Sequence, residues 1–240
     1  MKISTFFIVV GMVILSLYVL IEVNYYAAAD TIIANQSDAP YLEIPGIGVN
    51  ESINNKSVSY GIYHEPQSFK PGRGTVIIFG HRTLYGSPFL NLDKLKKGDQ
   101  ITLIWPEIGN AEYTVNDSFI VLASYRMSVE QGNSLFLITC YPLGSTKERY
   151  VVQAKLDRIS PITNKTTHEN PKSYYAPLLI LGFFAGGLVI NYIYPVEEDK
   201  KIIFIVVLAL TLFLIFGYLF PIPADYISSK LADINNFLGV

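Results

Sequence analysis

Three long uncharged stretches, Ile3–Ile21, Ser173–Val196 and Ile202–Ala224, confine what this chain can fold into. A bilayer core of ~30 Å takes ~20 apolar residues as helix, and an apolar run of ~10–14 is what a buried soluble helix needs. All three stretches exceed that, so each reads as a membrane-spanning helix. The second carries Gly182, Gly186 and Gly187, and glycine is more frequent in membrane helices than in soluble ones. The first stretch could instead be a signal peptide cut near Ala27-Ala28-Ala29. Signal cores run ~7–15 residues, and the greater length here favours a retained anchor.

Orientation follows from the flanking lysines. With the N-terminus inside, Lys2 and Lys200-Lys201 lie in the cytoplasm, as positive charges prefer, although Lys165, Lys172 and Lys230 then lie outside. Five Asn-x-Ser/Thr sequons begin at Asn35, Asn50, Asn55, Asn116 and Asn164. All fall in the polar segment, which agrees with an extracytoplasmic position. The expected organisation is a membrane anchor over 1–23, a linker over 24–40, a barrel domain over 41–158 and a second linker over 159–173. A span over 174–196, a cytoplasmic loop over 197–201, a third span over 202–224 and a tail over 225–240 complete it.

The polar segment from Asn24 to Lys172 has about 150 residues, enough for one domain with its own core. It holds fourteen Lys+Arg against fourteen Asp+Glu. That balance gives no field to attract a polyanion, so no nucleic-acid partner is expected. Short β-rich runs broken by turn residues predict a mainly β barrel or sandwich. The expected strands are Tyr41–Ile44, Ile47–Val49, Thr75–Phe79, Gln100–Trp105, Ala111–Val115, Ser118–Tyr125, Leu135–Thr139 and Tyr150–Leu156. Phe89, Leu92 and Leu95 suggest one short covering helix between Pro88 and Lys96.

Cys140 is the chain's one cysteine and ends the apolar run Leu135-Phe136-Leu137-Ile138-Thr139. It cannot form an intrachain disulfide. Arg149 stands nine residues on, opening the next run, and His81 ends the upstream run Thr75–Phe79 after Gly80. Antiparallel pairing of the last two strands would set Cys140 beside Arg149. Parallel pairing of 75–79 with 135–139 would bring His81 to the same edge. A free thiol is mostly protonated near neutral pH and needs a base or cation to become a nucleophile. An imidazole can serve as either; a guanidinium can only hold developing negative charge. Taken singly, each residue also fits a duller role: a buried thiol, a satisfied histidine, an exposed charge paired with Glu148. His64, His81, His168 and Cys140 match no closed zinc spacing, so no metal or other cofactor is expected.

Together these residues resemble the sortase family, membrane-anchored cysteine transpeptidases with an eight-stranded β-barrel. The family's L-x-T-C strand end is matched by Leu137-Ile138-Thr139-Cys140. Its downstream arginine is matched by Arg149, and its Gly-His pair by Gly80-His81. Leu42-Glu43-Ile44-Pro45, Pro71-Gly72-x-Gly74 and Phe89-x-x-Leu92-x-x-Leu95-x-x-Gly98-Asp99 extend the likeness from about Tyr41 to Leu156. The resemblance implies that Cys140 attacks the Thr–Gly bond of a C-terminal LPxTG-like signal, with His81 as acid or base and Arg149 at the oxyanion. Thr139 and Arg82, which flank this pair in sequence, are substrate-binding candidates. Implied partners are surface proteins bearing the signal, an amine acceptor of the envelope or another subunit, and the bilayer. Three spans are more than most sortases carry and, with the sequons, fit an archaeal or otherwise atypical envelope. The rival readings are a peptidase of the same fold, ending in hydrolysis, and a non-catalytic scaffold that binds sorting signals.

Overall fold

The computed structural model describes residues 2–35, 39–129, 132–162, 174–222 and 226, with side chains omitted for 28–35. The sequons beginning at Asn35 and Asn164, together with His168, lie wholly or partly outside the described residues. So does most of the expected second linker and of the tail. The chain divides into two compact units, 33–169 and 1–32 with 170–240.

The larger unit is a closed barrel of eight strands: β1 Tyr41–Ile44, β2 Val49–Asn54, β3 Ile62–His64, β4 Val76–Phe79, β5 Gln100–Trp105, β6 Gly109–Leu122, β7 Ser134–Tyr141 and β8 Glu148–Ser160. Around the barrel they run β1-β2-β3-β4-β7-β8-β6-β5, closing back on β1. Two pairs are parallel, β2 with β3 and β4 with β7. Strand alternation turns Val76, Ile78, Leu135, Leu137 and Val152 inward, where they join one core with Leu42, Ile101 and Leu103. The opposite parity, Ile77, Ile138 and Val151, forms a second apolar strip on the outside of the same wall, with Phe79, Phe119 and Met127 against it.

Several elements depart from expectation. The run expected as strand Ile47–Val49 opens as a 3-10 turn over Pro45–Ile47 and leads into the longer β2. Strand β3 is new; three residues are too few to show alternation in sequence. The expected strands Ala111–Val115 and Ser118–Tyr125 are one strand, bent at a bulge that leaves Asn116 with no residue opposite. The expected helix at Pro88–Lys96 shortens to a 3-10 turn, Leu92–Lys94. Phe89, Leu92 and Leu95 recur at a spacing of three, and in a 3-10 helix residues three apart eclipse. The three side chains still insert into the barrel core.

The second unit contains three helices: α1 Ile3–Asn35, α2 Tyr175–Ile193 and α3 Glu197–Leu219. Each is long and apolar enough to cross a membrane, over Ile3–Ala27, Tyr175–Ile193 and Glu197–Leu219. Helix α1 continues well past residue 23, through the alanines and into the expected linker, and α3 begins at Glu197 inside the expected loop. The helices meet through two apolar clusters, Leu20, Val23, Ile180 and Leu214 in one and Met12, Ile203 and Val207 in the other. Gly187 permits that approach: a Cβ there would lie 2.6 Å from a Val207 methyl. Outward faces such as Phe7, Ile14, Leu181, Ile205 and Leu212 are exposed. A buried polar knot joins the helix ends, where Thr5 Oγ1 donates to Asp199 Oδ2 at 2.6 Å and the Lys2 backbone N–H donates to the same oxygen at 2.9 Å.

Candidate active site

Strand register assembles the site. Cys140 on β7 stands directly opposite Arg149 on β8. Strand β4 runs parallel to β7 with Phe79 opposite Ile138, and the Gly80 N–H continues the ladder to the Ile138 carbonyl at 3.1 Å. His81 and Cys140 are the next residues but one on these neighbouring strands, which lie ~4.8 Å apart. The Thr139 hydroxyl locks the junction by donating to the Gly80 carbonyl at 2.8 Å. Parity places His81, Cys140 and Arg149 on the outer face of the barrel wall, at the end of the apolar strip Ile77, Ile138 and Val151.

The glycine before His81 has a steric reason. A Cβ at Gly80 would lie 2.6 Å from the Phe89 ring, which is fully buried in the core. Any side chain there would push Phe89 out or His81 off the wall. The Phe89 N–H donates to the His81 carbonyl at 3.1 Å, fixing the backbone from the other side.

Cys140 is free and partly exposed. His81 packs its imidazole on the Tyr85 ring, centroids 4.8 Å apart and planes tilted by 32°. Its Nε2 is buried and has no hydrogen-bond partner among the described residues. Burial without a compensating charge holds its pKa down at about 4, against an ordinary 6.5. The imidazole is therefore neutral near pH 7 and able to accept a proton. Arg149 directs Nη1 to the carbonyls of Thr146 and Glu148, at 2.9 and 3.0 Å. Its Nε and Nη2 are left to serve another acceptor, since an arginine fork has five N–H donors.

The two substrate-binding candidates occupy the other side of the wall. Thr139 is 2% exposed and bonded to Gly80. Arg82 is 6% exposed, ion-paired to Asp93 at 2.5 Å, with its guanidinium 5.5 Å over the Tyr141 ring. Sequence reasoning passed over Tyr85, Asp93 and Tyr141. The first two lie in the irregular segment after β4, where no periodicity announces a contact. Of the other histidines, His64 is tied to the Phe69 carbonyl at 3.2 Å and packs edge-on against Trp105.

A free thiol, a neutral imidazole and a guanidinium thus lie at one end of a closed mixed barrel wall, groups chemically able to carry out thiol acyl transfer. Residues 42–157 match the Sortase domain family, which makes this segment of the chain a sortase-type domain. Among solved structures it is similar to the Clostridium perfringens sortase D5 transpeptidase, with 29% identity over 50% of this chain and 79% of that one and a TM-score of 0.45. It is also similar to sortase C1 of Streptococcus agalactiae, with 27% identity over 50% and 67% of the chains and a TM-score of 0.45. Sortase C-1 of Actinomyces oris shows 26% identity over 51% and 74%, again with a TM-score of 0.45. No curated protein matches the chain significantly.

Proposed function

We propose that this chain is a multi-pass membrane sortase that cleaves an LPxTG-like signal near a surface protein's C-terminus and transfers the acyl group to an amine. Cys140 Sγ attacks the carbonyl carbon of the signal's threonine, and His81 takes the thiol proton. The Nε and Nη2 donors of Arg149 hold the oxyanion of the tetrahedral intermediate. The C–N bond then breaks, His81 returns the proton to the departing amine, and a thioacyl enzyme remains. An acceptor amine attacks that thioester, gives up a proton to His81 and restores the thiol. The barrel lies outside the membrane, with the three helices holding it near substrates that arrive through the same bilayer.

The observation that carries this reading is the direct pairing of Cys140 with Arg149, each one residue inside its strand, on the face to which parity assigns His81. The neutral state of His81 supports its role as proton acceptor. The test uses the full chain in detergent micelles with an LPxTG-like peptide. The expected product is a covalent adduct with the mass of the enzyme plus the peptide through its threonine. Hydroxylamine releases it as a hydroxamate, and a suitable amine releases it as a ligated product. Cys140→Ala forms none. No adduct with the sorting-signal peptides of the source genome, while a thiol reagent still reaches Cys140, would leave a binding scaffold as the better reading. Adduct that yields only free acid in the presence of amines would make the enzyme a peptidase.

A further inference from the structure

The turn after His81 has no role in the chemistry just described, yet it is held in an unfavourable shape. Tyr85, Gly86 and Ser87 take φ of +54°, +74° and +47° in succession. Glycine adopts that left-handed region freely, but tyrosine and serine meet a clash between Cβ and the backbone. Such strain persists only where the surroundings over-determine it. Here they do: Ser87 N–H donates to the Leu84 carbonyl, Leu90 N–H to the Ser87 carbonyl and Phe89 N–H to the His81 carbonyl, at 3.1, 3.0 and 3.1 Å. Phe89 anchors the far end in the core. The result is that the Tyr85 side chain, 3% exposed, lies with its ring on the His81 imidazole. In a relaxed β-region backbone the Cα–Cβ bond would point elsewhere and the ring would leave the imidazole.

We propose that Tyr85 is a positioning residue for His81: the left-handed turn Tyr85–Ser87 presses its ring onto the imidazole, fixes the plane of that ring and shuts bulk water from it. The inference rests on the reading of His81 as the acid and base of the site. Its consequence is that the proton His81 takes from the thiol is kept for the departing amine instead of being lost to solvent. The charged and titratable groups that the strand register and the following segment bring to this end of the wall are Tyr85 itself, Cys140, Arg149 and Arg82, the last paired with Asp93. None of them perturbs His81 through charge; burial alone does.

The test is a titration that needs no turnover. The full chain in micelles, carrying ring-labelled histidine, is followed by NMR across pH 3.5–8, with His81 assigned through His81→Gln. In the parent chain and in Tyr85→Phe the His81 midpoint is expected well below 6.5. Tyr85→Asn tolerates the left-handed turn but removes the ring, and should raise the midpoint by about one unit or more. The His64 signal, from a histidine packed on Trp105, reports whether the barrel remains folded; if the asparagine variant loses it, Tyr85→Gly takes its place. An unchanged His81 midpoint with a native His64 signal would overturn the proposal. So would a rise in Tyr85→Phe as large as in Tyr85→Asn, because the hydroxyl and not the ring would then be responsible. The acid limb of thioacyl-adduct formation should move with the midpoint. A limb that stays fixed while the imidazole moves would count against the catalytic reading of His81 and leave its ring cover standing.

Discussion

At the scale of single residues, the site combines groups whose environments suit different tasks. Arg149 spends Nη1 on the Thr146 and Glu148 carbonyls and has further N–H donors on Nε and Nη2. Arg149→Ala is expected to lower turnover ~10²–10³-fold with the fold intact. Arg149→Lys should recover only part of this, because an ammonium lacks the planar fork. Steady-state rates of peptide ligation check both. His81 also couples the barrel's stability to pH. Its pKa falls from an ordinary 6.5 when unfolded to about 4 when folded. Between those values the unfolded chain binds more protons, so stability is fully present above about pH 6.5 and declines as pH drops toward 4, by up to roughly 3 kcal/mol. His64, likewise lowered by burial, adds in the same direction. His81→Gln should flatten the profile partly and leave the contribution of His64. Trp105, the chain's single tryptophan, is buried in the barrel. Its fluorescence during denaturant unfolding at pH 4–7 therefore reports the barrel and not the helices.

Among the elements, the segment between β4 and β5 has the largest say in the site, although it has almost no regular structure. It inserts Phe89, Leu92 and Leu95 into the barrel core, ties Arg82 to Asp93 and places Tyr85 against His81. Gly80 is the point where it meets the wall. Gly80→Ala sets a methyl 2.6 Å from the Phe89 ring, and overpacking of this kind costs ~1–3 kcal/mol. Phe89→Leu alone should also destabilise, yet the double variant should lose less than the two single losses added together, since the smaller side chain gives the methyl room. Denaturation followed through Trp105 measures all three. Equal additivity would show that the clash relaxes through the backbone instead. The Thr139 hydroxyl bond to the Gly80 carbonyl acts at the same junction from the strand side.

For the molecule as a whole, the apolar helices and the barrel make separate demands. On the proposed reading the barrel's outer strip and candidate site reach substrate, while the exposed apolar faces at Phe7, Ile14, Leu181, Ile205 and Leu212 meet lipid. The reading with the N-terminus inside predicts that Glu198, exposed at the start of α3, lies in the cytoplasm and that Asn55, exposed after β2, lies outside. Single cysteines at these positions in a Cys140→Ala background, treated on intact cells with an impermeant thiol reagent, should label at 55 and not at 198. The opposite pattern would invert the topology.

The amino-acid sequence by itself determined what depends on neighbours along the chain. Three helices long enough for a membrane follow from uninterrupted apolar length. Strands Tyr41–Ile44 and Gln100–Trp105 have the bounds their β-rich runs predict. The residue types at His81, Cys140 and Arg149 are ones that can serve as base, nucleophile and cation, and they are legible before any fold is known. Tertiary structure alone decided what depends on partners distant in sequence. The parallel pairing of β4 with β7 joins residues some sixty positions apart, and no local propensity specifies that register. Given the register, parity sends His81 outward and Arg82 inward, although adjacent residues of one Gly-His-Arg string look equally placed for substrate. The bulge at Asn116 and the 3-10 turn at Leu92–Lys94 arise because the closed wall and its filled core override local preference. The ring of Tyr85 reaches His81 only because a strained turn is clamped at both ends, and strain of that kind is held by the surrounding packing, which the string of residues 82–89 does not display.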